Sequence, residues 1–170
     1  MTGFRERLES ISRANKSLVC IGLDPDPNLM AVPDVADFNR AIVDATADLV
    51  CAFKPNFPFY EALGVPGLRA LEQTVEHIRS VAPDVVLLAD GKRGDIGSTN
   101  EKYAQALFTT WGFDAATVNA YAGIESLDPF FEYADKGIII WCRSSNPGAG
   151  DIQDIRVNDG SEDLPMYEWL

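Results

Sequence analysis

Short apolar runs rich in β-forming residues alternate along this chain with segments of helical periodicity, and the alternation repeats five times. The predicted strands lie at residues 18–23, 51–53, 85–89, 115–119 and 138–142. Between them, apolar side chains recur at helical spacing in residues 38–49, 68–78, 98–111 and 126–134. Such regular alternation requires a parallel sheet with right-handed crossover connections.

Two folds satisfy this requirement, a doubly wound open sheet and a (β/α)8 barrel. Polar side chains follow the predicted strands one after another, at Asp24, Lys54, Asp90, Lys92, Asn119, Ser144 and Ser145. A barrel gathers all its strand ends on one rim, whereas a doubly wound sheet commonly binds ligands through a glycine-rich loop after its first strand. The segment after residue 23, Asp-Pro-Asp-Pro-Asn, is not such a loop. We therefore predict an α/β fold of the TIM-barrel type.

The chain has 170 residues, which is long enough for one domain with a hydrophobic core. Its composition, 46% hydrophobic and 24% charged, is that of a globular protein. We expect residues 1–170 to form a single, incomplete barrel domain that contains about the first five βα units. Residues 146–165 are rich in Gly, Asp, Pro and Ser and are predicted to form a long loop after strand five. Residues 166–170 are expected to begin a helix.

The charge balance restricts the kinds of partner. The 14 basic and 26 acidic residues give a formal net charge of −12, which argues against a broad surface for nucleic acid or anionic membranes. No apolar run approaches the roughly 18 residues of a membrane span. We therefore expect no nucleic-acid or membrane partner, and an anionic ligand must be held by a local cluster.

The cysteine and histidine residues limit the chemistry. Cys20, Cys51 and Cys142 lie in apolar runs without metal-type spacing, as expected for buried thiols of a cytoplasmic protein. His77 is the only histidine, which excludes Ser-His and Cys-His nucleophiles and two-histidine metal sites. Catalysis must therefore rely on carboxylates, lysines and hydroxyls.

Residues 85–95, VVLLADGKRGD, place charged side chains at the end of an apolar strand. Residues two apart in a strand share a face, so Asp90 and Lys92 are expected to point together, with Asp95 close by in sequence. Burying such charges is costly unless they pair or take part in chemistry. The segment is therefore interpreted as a functional site or, alternatively, as a salt-bridge network that closes the rim.

The pattern Asp90-x-Lys92-x-x-Asp95-Ile-x-x-Thr99 resembles the signature of the orotidine 5'-phosphate decarboxylase family. Three further segments resemble its longer bacterial branch. They are Gly22-Leu-Asp24, Phe53-Lys54-Pro-Asn and Arg143-Ser-Ser145-Asn-Pro-Gly148, each at the end of a predicted strand. The resemblance spans nearly the whole chain.

The resemblance implies decarboxylation of orotidine 5'-phosphate to UMP and CO2 in pyrimidine biosynthesis, without a metal or organic cofactor. It implies a neutral array of charged side chains, namely Lys54, Asp90, Lys92 and Asp95. It implies that Asp24 holds ribose hydroxyls and that Ser145 contacts the pyrimidine. It also implies a homodimer in which Asp95 and Thr99 reach the partner's site. The family's phosphate-binding Gln and Arg belong to later units that this sequence does not contain.

The residue types fit the implied chemistry. Loss of CO2 from C6 of a pyrimidine leaves a carbanion that no ring carbonyl can delocalise, so the protein must stabilise the charge directly. Lys92 would stabilise that carbanion and then protonate it as a general acid. Asp90 would lie near the substrate carboxylate and repel it until CO2 leaves.

Simpler roles remain open for several of these residues. Ser98-Thr-Asn-Glu101 has the form of a capping box, and Ser98 or Thr99 could be the N-cap of a helix whatever the function. Ser145 and Asp24 could shape turns, and Asn119 could pair with neighbouring backbone.

Three other interpretations of the chain remain. The nearest rival is a metal-dependent sugar-phosphate decarboxylase or aldolase of the same barrel group, which places a carboxylate where this chain has Lys54. The second is a catalytically silent barrel fragment with exposed edge strands. The third is that the protein continues beyond Leu170 and that the continuation supplies the phosphate site.

Overall fold

Five parallel strands lie side by side, in the order in which they occur along the chain, in a computed structural model that describes residues 3–158 and 160–170. They are Cys20–Leu23 (β1), Ala52–Pro55 (β2), Val86–Arg93 (β3), Ala115–Val118 (β4) and Gly137–Ile140 (β5). Consecutive strands pair in parallel, which confirms the predicted alternation. The chain thus forms five consecutive strands of a TIM-type barrel.

Helices connect the strands. They are Phe4–Ala14 (α1), Val35–Thr46 (α2), Phe57–Glu61 (α3), Gly64–Val81 (α4), Gly97–Ala104 (α5), Asp128–Phe131 (α6), Gly150–Gln153 (α7) and Met166–Trp169 (α8). A π-helical segment, Gln105–Thr110, follows α5, and a 3-10 segment, Ile124–Leu127, precedes α6. None of the helices in the described ranges is both long and apolar enough to cross a membrane.

The core lies between one face of the sheet and the helices. Phe53, Leu87 and Val118 point into it and are fully buried. Because side chains alternate along a strand, the neighbouring residues Lys54 and Thr117 point to the opposite face. This opposite face carries the polar residues.

The two outer strands leave the sheet open at both sides. Within the described residues, β1 pairs with β2 alone and β5 pairs with β4 alone. Apolar side chains are exposed along these borders: Val19 is 53% exposed and Ile139 is 40% exposed. The sheet therefore presents two unpaired edges to solvent.

The start of α5 differs from the predicted capping box. The helix begins at Gly97 after Ile96, and no side chain caps it. Instead, the Asn100 side chain accepts a hydrogen bond from the Asp95 N–H (3.0 Å) and donates one to the Asp95 carbonyl (2.8 Å). The prediction for Ser98 and Thr99 is wrong because an asparagine inside the helix binds the preceding loop.

Residues 146–165 are not loop throughout. They contain α7 and two short antiparallel strands, Arg156–Asn158 (β6) and Asp163–Pro165 (β7). Arg143 anchors this segment, since its guanidinium binds both carboxylate oxygens of Asp154 at 2.9 and 2.7 Å. The helix expected over residues 166–170 is present as α8.

The prediction of three buried thiols holds in full for Cys51 alone and is wrong for Cys20. Cys51 is buried and Cys142 is half-buried, but Cys20 is exposed. Cys20 lies on β1, which is an edge strand, so its side chain is covered less than that of a central strand.

Candidate active site

Asp90 is the centre of a cluster of charged side chains on the open face of the sheet. Its carboxylate is buried, with 8% of the side chain exposed. The Lys54 Nζ atom lies 2.6 Å from Oδ2, and the Lys92 Nζ atom lies 2.8 Å from Oδ1. The Thr117 hydroxyl donates a third hydrogen bond to Oδ1 at 2.9 Å. Three neighbouring strands thus contribute to one buried carboxylate.

Two opposing effects set the pKa of the Asp90 carboxyl. Burial raises it, because a charged group loses hydration in the protein interior. Hydrogen bonds from Lys54, Lys92 and Thr117 lower it, and together they outweigh burial. The pKa of Asp90 therefore lies below its ordinary value, and the carboxylate is ionised at neutral pH.

The end of β3 is irregular where it carries the cluster. Its register against β4 shifts between Ala89 and Arg93. Within this stretch, Lys92 has a φ of 45°, in the left-handed region that residues with a Cβ rarely adopt. The Lys92 N–H donates to the Thr117 Oγ1 atom at 3.0 Å. Asp90 and Lys92 do point together, as predicted, but through a distorted strand.

Arg93 points away from the cluster and fastens the strand end to the helices. Its guanidinium pairs with Glu61 at the end of α3. It also lies over the rings of Phe57 and Tyr103, at 5.6 and 5.2 Å from the centroids. These contacts hold the β3 end in place on the side opposite Asp90.

Asp95 does not join the cluster within this chain. It is exposed, and its Oδ1 atom accepts a hydrogen bond from the Ile96 N–H at 2.7 Å. The formal charge of the cluster is therefore +1, from Lys54, Lys92 and Asp90. The expected array of four side chains, which included Asp95, would have been neutral. Within one chain, the site is therefore suited to an anion.

The other predicted residues, Asp24, Thr99 and Ser145, lie outside the Asp90 cluster. Asp24 is exposed after β1, and its Oδ2 atom accepts a hydrogen bond from the Asn56 amide at 2.8 Å. Thr99 is half-buried in the first turn of α5. Ser145 is exposed in the segment after β5 and does not line the cavity beside Asp90.

Asn119 has a backbone role, which was one of the alternatives. Its N–H donates to the Arg93 carbonyl at 2.8 Å, and its side-chain oxygen accepts a hydrogen bond from the Tyr121 N–H at 2.9 Å. A Cβ at Gly94 would overlap the Asn119 carbonyl oxygen, so this close approach requires glycine. Asn119 thus joins the ends of β3 and β4.

A cavity of about 410 Å³ opens beside the cluster. Its walls are Lys54, Asp90, Lys92, Thr117 and residues 139–143. Two ammonium groups on one side and the apolar Ile139 and Trp141 on the other suit a flat ring that bears negative charge. In the described part of the chain, no group of three or more His, Cys, Asp or Glu side chains is placed to hold a metal ion.

Three residues of this site were not predicted from the sequence. Thr117 contacts Asp90 and Lys92, Asn56 holds Asp24, and Arg143 lines the cavity. The sequence did contain an indication for Thr117. It is a hydroxyl residue within an apolar strand and lies two positions before Asn119, so the two share a face of the strand. The roles of Asn56 and Arg143 depend on contacts distant in sequence.

Comparison with known proteins gives consistent matches. A profile of the Orotidine 5'-phosphate decarboxylase / HUMPS family matches residues 17–164. Orotidine 5'-phosphate decarboxylase from Thermomicrobium roseum is 48% identical over 173 residues, and the match covers 98% of this chain and 60% of the relative. The enzyme of that name from Roseiflexus castenholzii is 48% identical over 170 residues, with 96% and 60% covered. The chain thus spans 60% of the length of these relatives.

Solved structures are similar over the same region. OMP decarboxylase from Leishmania donovani superposes with a TM-score of 0.86 at 32% identity, covering 99% of this chain and 63% of that one. UMP synthase from the same organism superposes with a TM-score of 0.87 at 32% identity, covering 99% of this chain and 36% of that one.

Proposed function

Because the chain belongs to the Orotidine 5'-phosphate decarboxylase / HUMPS family, we propose that its site converts orotidine 5'-phosphate to UMP and CO2 in pyrimidine biosynthesis. The observation that carries this proposal is the position of Lys92, whose ammonium is held 2.8 Å from the buried Asp90 carboxylate and faces the cavity. Such an ammonium can both stabilise a carbanion and protonate it.

In the proposed reaction, the bond between C6 and the substrate carboxylate breaks, and its electron pair stays on C6 as CO2 leaves. The positive charge of Lys92 stabilises this electron pair. The Nζ atom then gives a proton to C6, which yields UMP, and the neutral amine regains a proton from solvent. No metal or organic cofactor is required.

Asp90 has two proposed effects in this reaction. It orients Lys92 and Lys54 through its two carboxylate oxygens. It also repels the substrate carboxylate, and at ~4 Å with an effective dielectric constant of ~20 this repulsion is about 4 kcal/mol. The repulsion is relieved as CO2 leaves, so it favours the transition state over the bound substrate.

Residues on the rim are proposed to bind the rest of the nucleotide. Asp24, oriented by Asn56, would accept hydrogen bonds from ribose hydroxyls. Ser145 would contact the pyrimidine if the segment after β5 moved over the cavity. Phosphate binding is assigned to the part of the family's length that this chain does not span.

We further propose that the protein is a cytoplasmic homodimer in which Asp95 and Thr99 serve the partner's site. The exposure of Asp95, and its separation from Lys92 within one chain, support this proposal. A second carboxylate from the partner would bring the formal charge of the cluster from +1 to zero.

The proposal is tested by joining residues 1–170 to the remaining C-terminal part of the Thermomicrobium roseum relative and measuring decarboxylation of orotidine 5'-phosphate. The fused enzyme should be active, and Lys92→Ala should abolish turnover while leaving the fold intact by circular dichroism. Lys16→Ala, which removes an exposed lysine elsewhere, is the matched control. Near-normal turnover with Lys92→Ala would contradict the mechanism.

The metal-dependent rival differs in its response to a chelator. Lys54 stands where that group of enzymes places a carboxylate, and its ammonium lies 2.6 Å from Asp90, where it would repel a divalent cation. Decarboxylation by the fused enzyme should therefore be unchanged in EDTA. Loss of activity in EDTA would favour the rival.

A further inference from the structure

The Thr117 hydroxyl lies between two groups of the proposed site. Its Oγ1 atom accepts a hydrogen bond from the Lys92 backbone N–H at 3.0 Å and donates one to Asp90 Oδ1 at 2.9 Å. It is the contribution of β4 to a cluster whose charged members come from β2 and β3. Thr117 carries no charge and is half-buried beside the cavity.

We propose that Thr117 is a positioning residue for the decarboxylation, acting through Asp90 and Lys92 rather than on the substrate. This inference rests on the proposed function and adds a residue to it. The hydroxyl fixes the carboxylate that orients the Lys92 ammonium and also fixes the backbone from which that ammonium extends.

The direction of the hydrogen bonds follows from donor and acceptor chemistry. A backbone N–H can only donate, so a lone pair of Oγ1 must accept from Lys92. The hydroxyl proton is then free for an acceptor, and the Asp90 carboxylate is nearer, at 2.9 Å, than the Ala89 carbonyl at 3.5 Å. The two hydrogen bonds are therefore consecutive, from the Lys92 amide to the Thr117 hydroxyl and from this hydroxyl to the Asp90 carboxylate, and each strengthens the other.

The irregular end of β3 explains why such a residue is required. The register shift between Ala89 and Arg93 removes Lys92 from the regular ladder. Its φ of 45° is costly for a residue with a Cβ, so the surrounding structure must hold it. The Thr117 hydroxyl supplies the partner that the Lys92 N–H would otherwise find in a regular strand.

The charged and titratable groups near the hydroxyl are few and can be named. Lys54 approaches Asp90 from β2, Lys92 from β3, and the Cys142 thiol and Arg143 line the same cavity after β5. The Cys20 thiol, on β1, interacts electrostatically with Asp90 at longer range. Thr117→Val removes the hydroxyl and leaves each of these groups in place.

The first experiment uses the full 170-residue chain and follows the Asp90 carboxyl carbon by NMR during a pH titration. Thr117→Val should raise the pKa of Asp90, because one of its three side-chain hydrogen bonds is lost while its burial remains. Thr117→Ser should restore it, and Thr110→Val, at an exposed threonine, should leave it unchanged. If Asp90 has the same pKa in the folded Thr117→Val variant as in the wild type, the proposal is overturned.

The second experiment places the same variants in the fused enzyme. A hydrogen bond to a charged group typically supports a tenfold to hundredfold effect, so Thr117→Val should lower kcat by about that factor with little change in KM. Thr117→Ser should recover most of the activity. Unchanged kcat in Thr117→Val would contradict positioning. An inactive wild-type fusion would instead contradict the proposed function, and the NMR titration would then decide the role of Thr117.

Discussion

Among the individual residues, Asp90 determines how the two lysines of the site are arranged. Each of its carboxylate oxygens holds one ammonium group, Lys54 on Oδ2 and Lys92 on Oδ1. Without this carboxylate, the two positive charges would face each other across a partly buried space. The site therefore depends on one residue for both its geometry and its electrostatic balance.

This dependence predicts how stability varies with pH. The pKa of Asp90 is lowered in the folded protein, so its ionised form contributes stability above the ordinary carboxyl pKa of about 4. That contribution is lost as the pH falls through the lowered pKa. Urea unfolding across this range should show a larger loss of stability in the wild type than in Asp90→Asn, in which only the other carboxylates with a lowered pKa, such as Glu9 and Asp154, still contribute. Asp84→Asn, at an exposed turn, should retain the wild-type loss.

The period-two pattern of a strand was sufficient to predict that Asp90 and Lys92 share a face. It could not predict the positive φ of Lys92 or the register shift, because these depend on how β3 meets β4. The resemblance included Asp95 in the array, but one chain alone does not bring it there. Thr117 was missed because a threonine in a strand is most simply explained by β-propensity.

Among the secondary-structure elements, α2, α3 and α4 form a layer joined by buried hydrogen bonds. The Asn39 amide donates to the Tyr60 hydroxyl and to Thr74 Oγ1, each at 3.0 Å. The Tyr60 hydroxyl in turn donates to the Leu23 carbonyl at 3.2 Å. This network connects three helices to the end of β1, just before Asp24.

The layer was predicted only in part. Helices α2 and α4 have apolar residues at helical spacing over several turns, which is a strong signal. Helix α3 has five residues, too few for periodicity to be recognised. Its position depends instead on the close approach of α3 and α4 at Gly67, where a Cβ would overlap the Tyr60 carbonyl oxygen.

Gly67→Ala should therefore destabilise the protein. The added methyl group would force α3 and α4 apart, and overpacking of this kind costs about 1–3 kcal/mol. Gly97→Ala is the matched control, because a Cβ there meets no atom within 4 Å. Urea unfolding of both variants measures the difference, and equal stability of the two would contradict the packing argument.

At the scale of the whole molecule, the sheet formed by the described residues has two unpaired edges, at β1 and at β5. Edge strands with exposed apolar residues favour pairing with other chains. The order of the strands was predictable from the alternation along the sequence, since consecutive βα units become neighbours. Exposed edge strands were also expected of an incomplete barrel, but which apolar side chains they expose, Val19 and Ile139 among them, depends on the packing of the folded chain.

The isolated 170-residue chain should accordingly associate through these edges. Sedimentation velocity at increasing protein concentration should show a rising average mass. Val19→Lys places a charge beside β1 and should reduce this association, as charged residues do at natural sheet edges. Val65→Lys, at a valine that is 63% exposed on α4, should not. Concentration-independent monomers in the wild type would contradict the prediction.

The left-handed backbone of Lys92 lowers the stability of the folded chain in exchange for an ammonium group at this position. At this conformation glycine has no steric penalty, whereas a residue with a Cβ costs of the order of 1–3 kcal/mol. Glycine would therefore be the less strained residue at position 92, but it would supply no ammonium group. The folded chain thus gives up some stability to place one amine beside the cavity, and a glycine that relieved the backbone at this position would remove that amine from the Asp90 carboxylate.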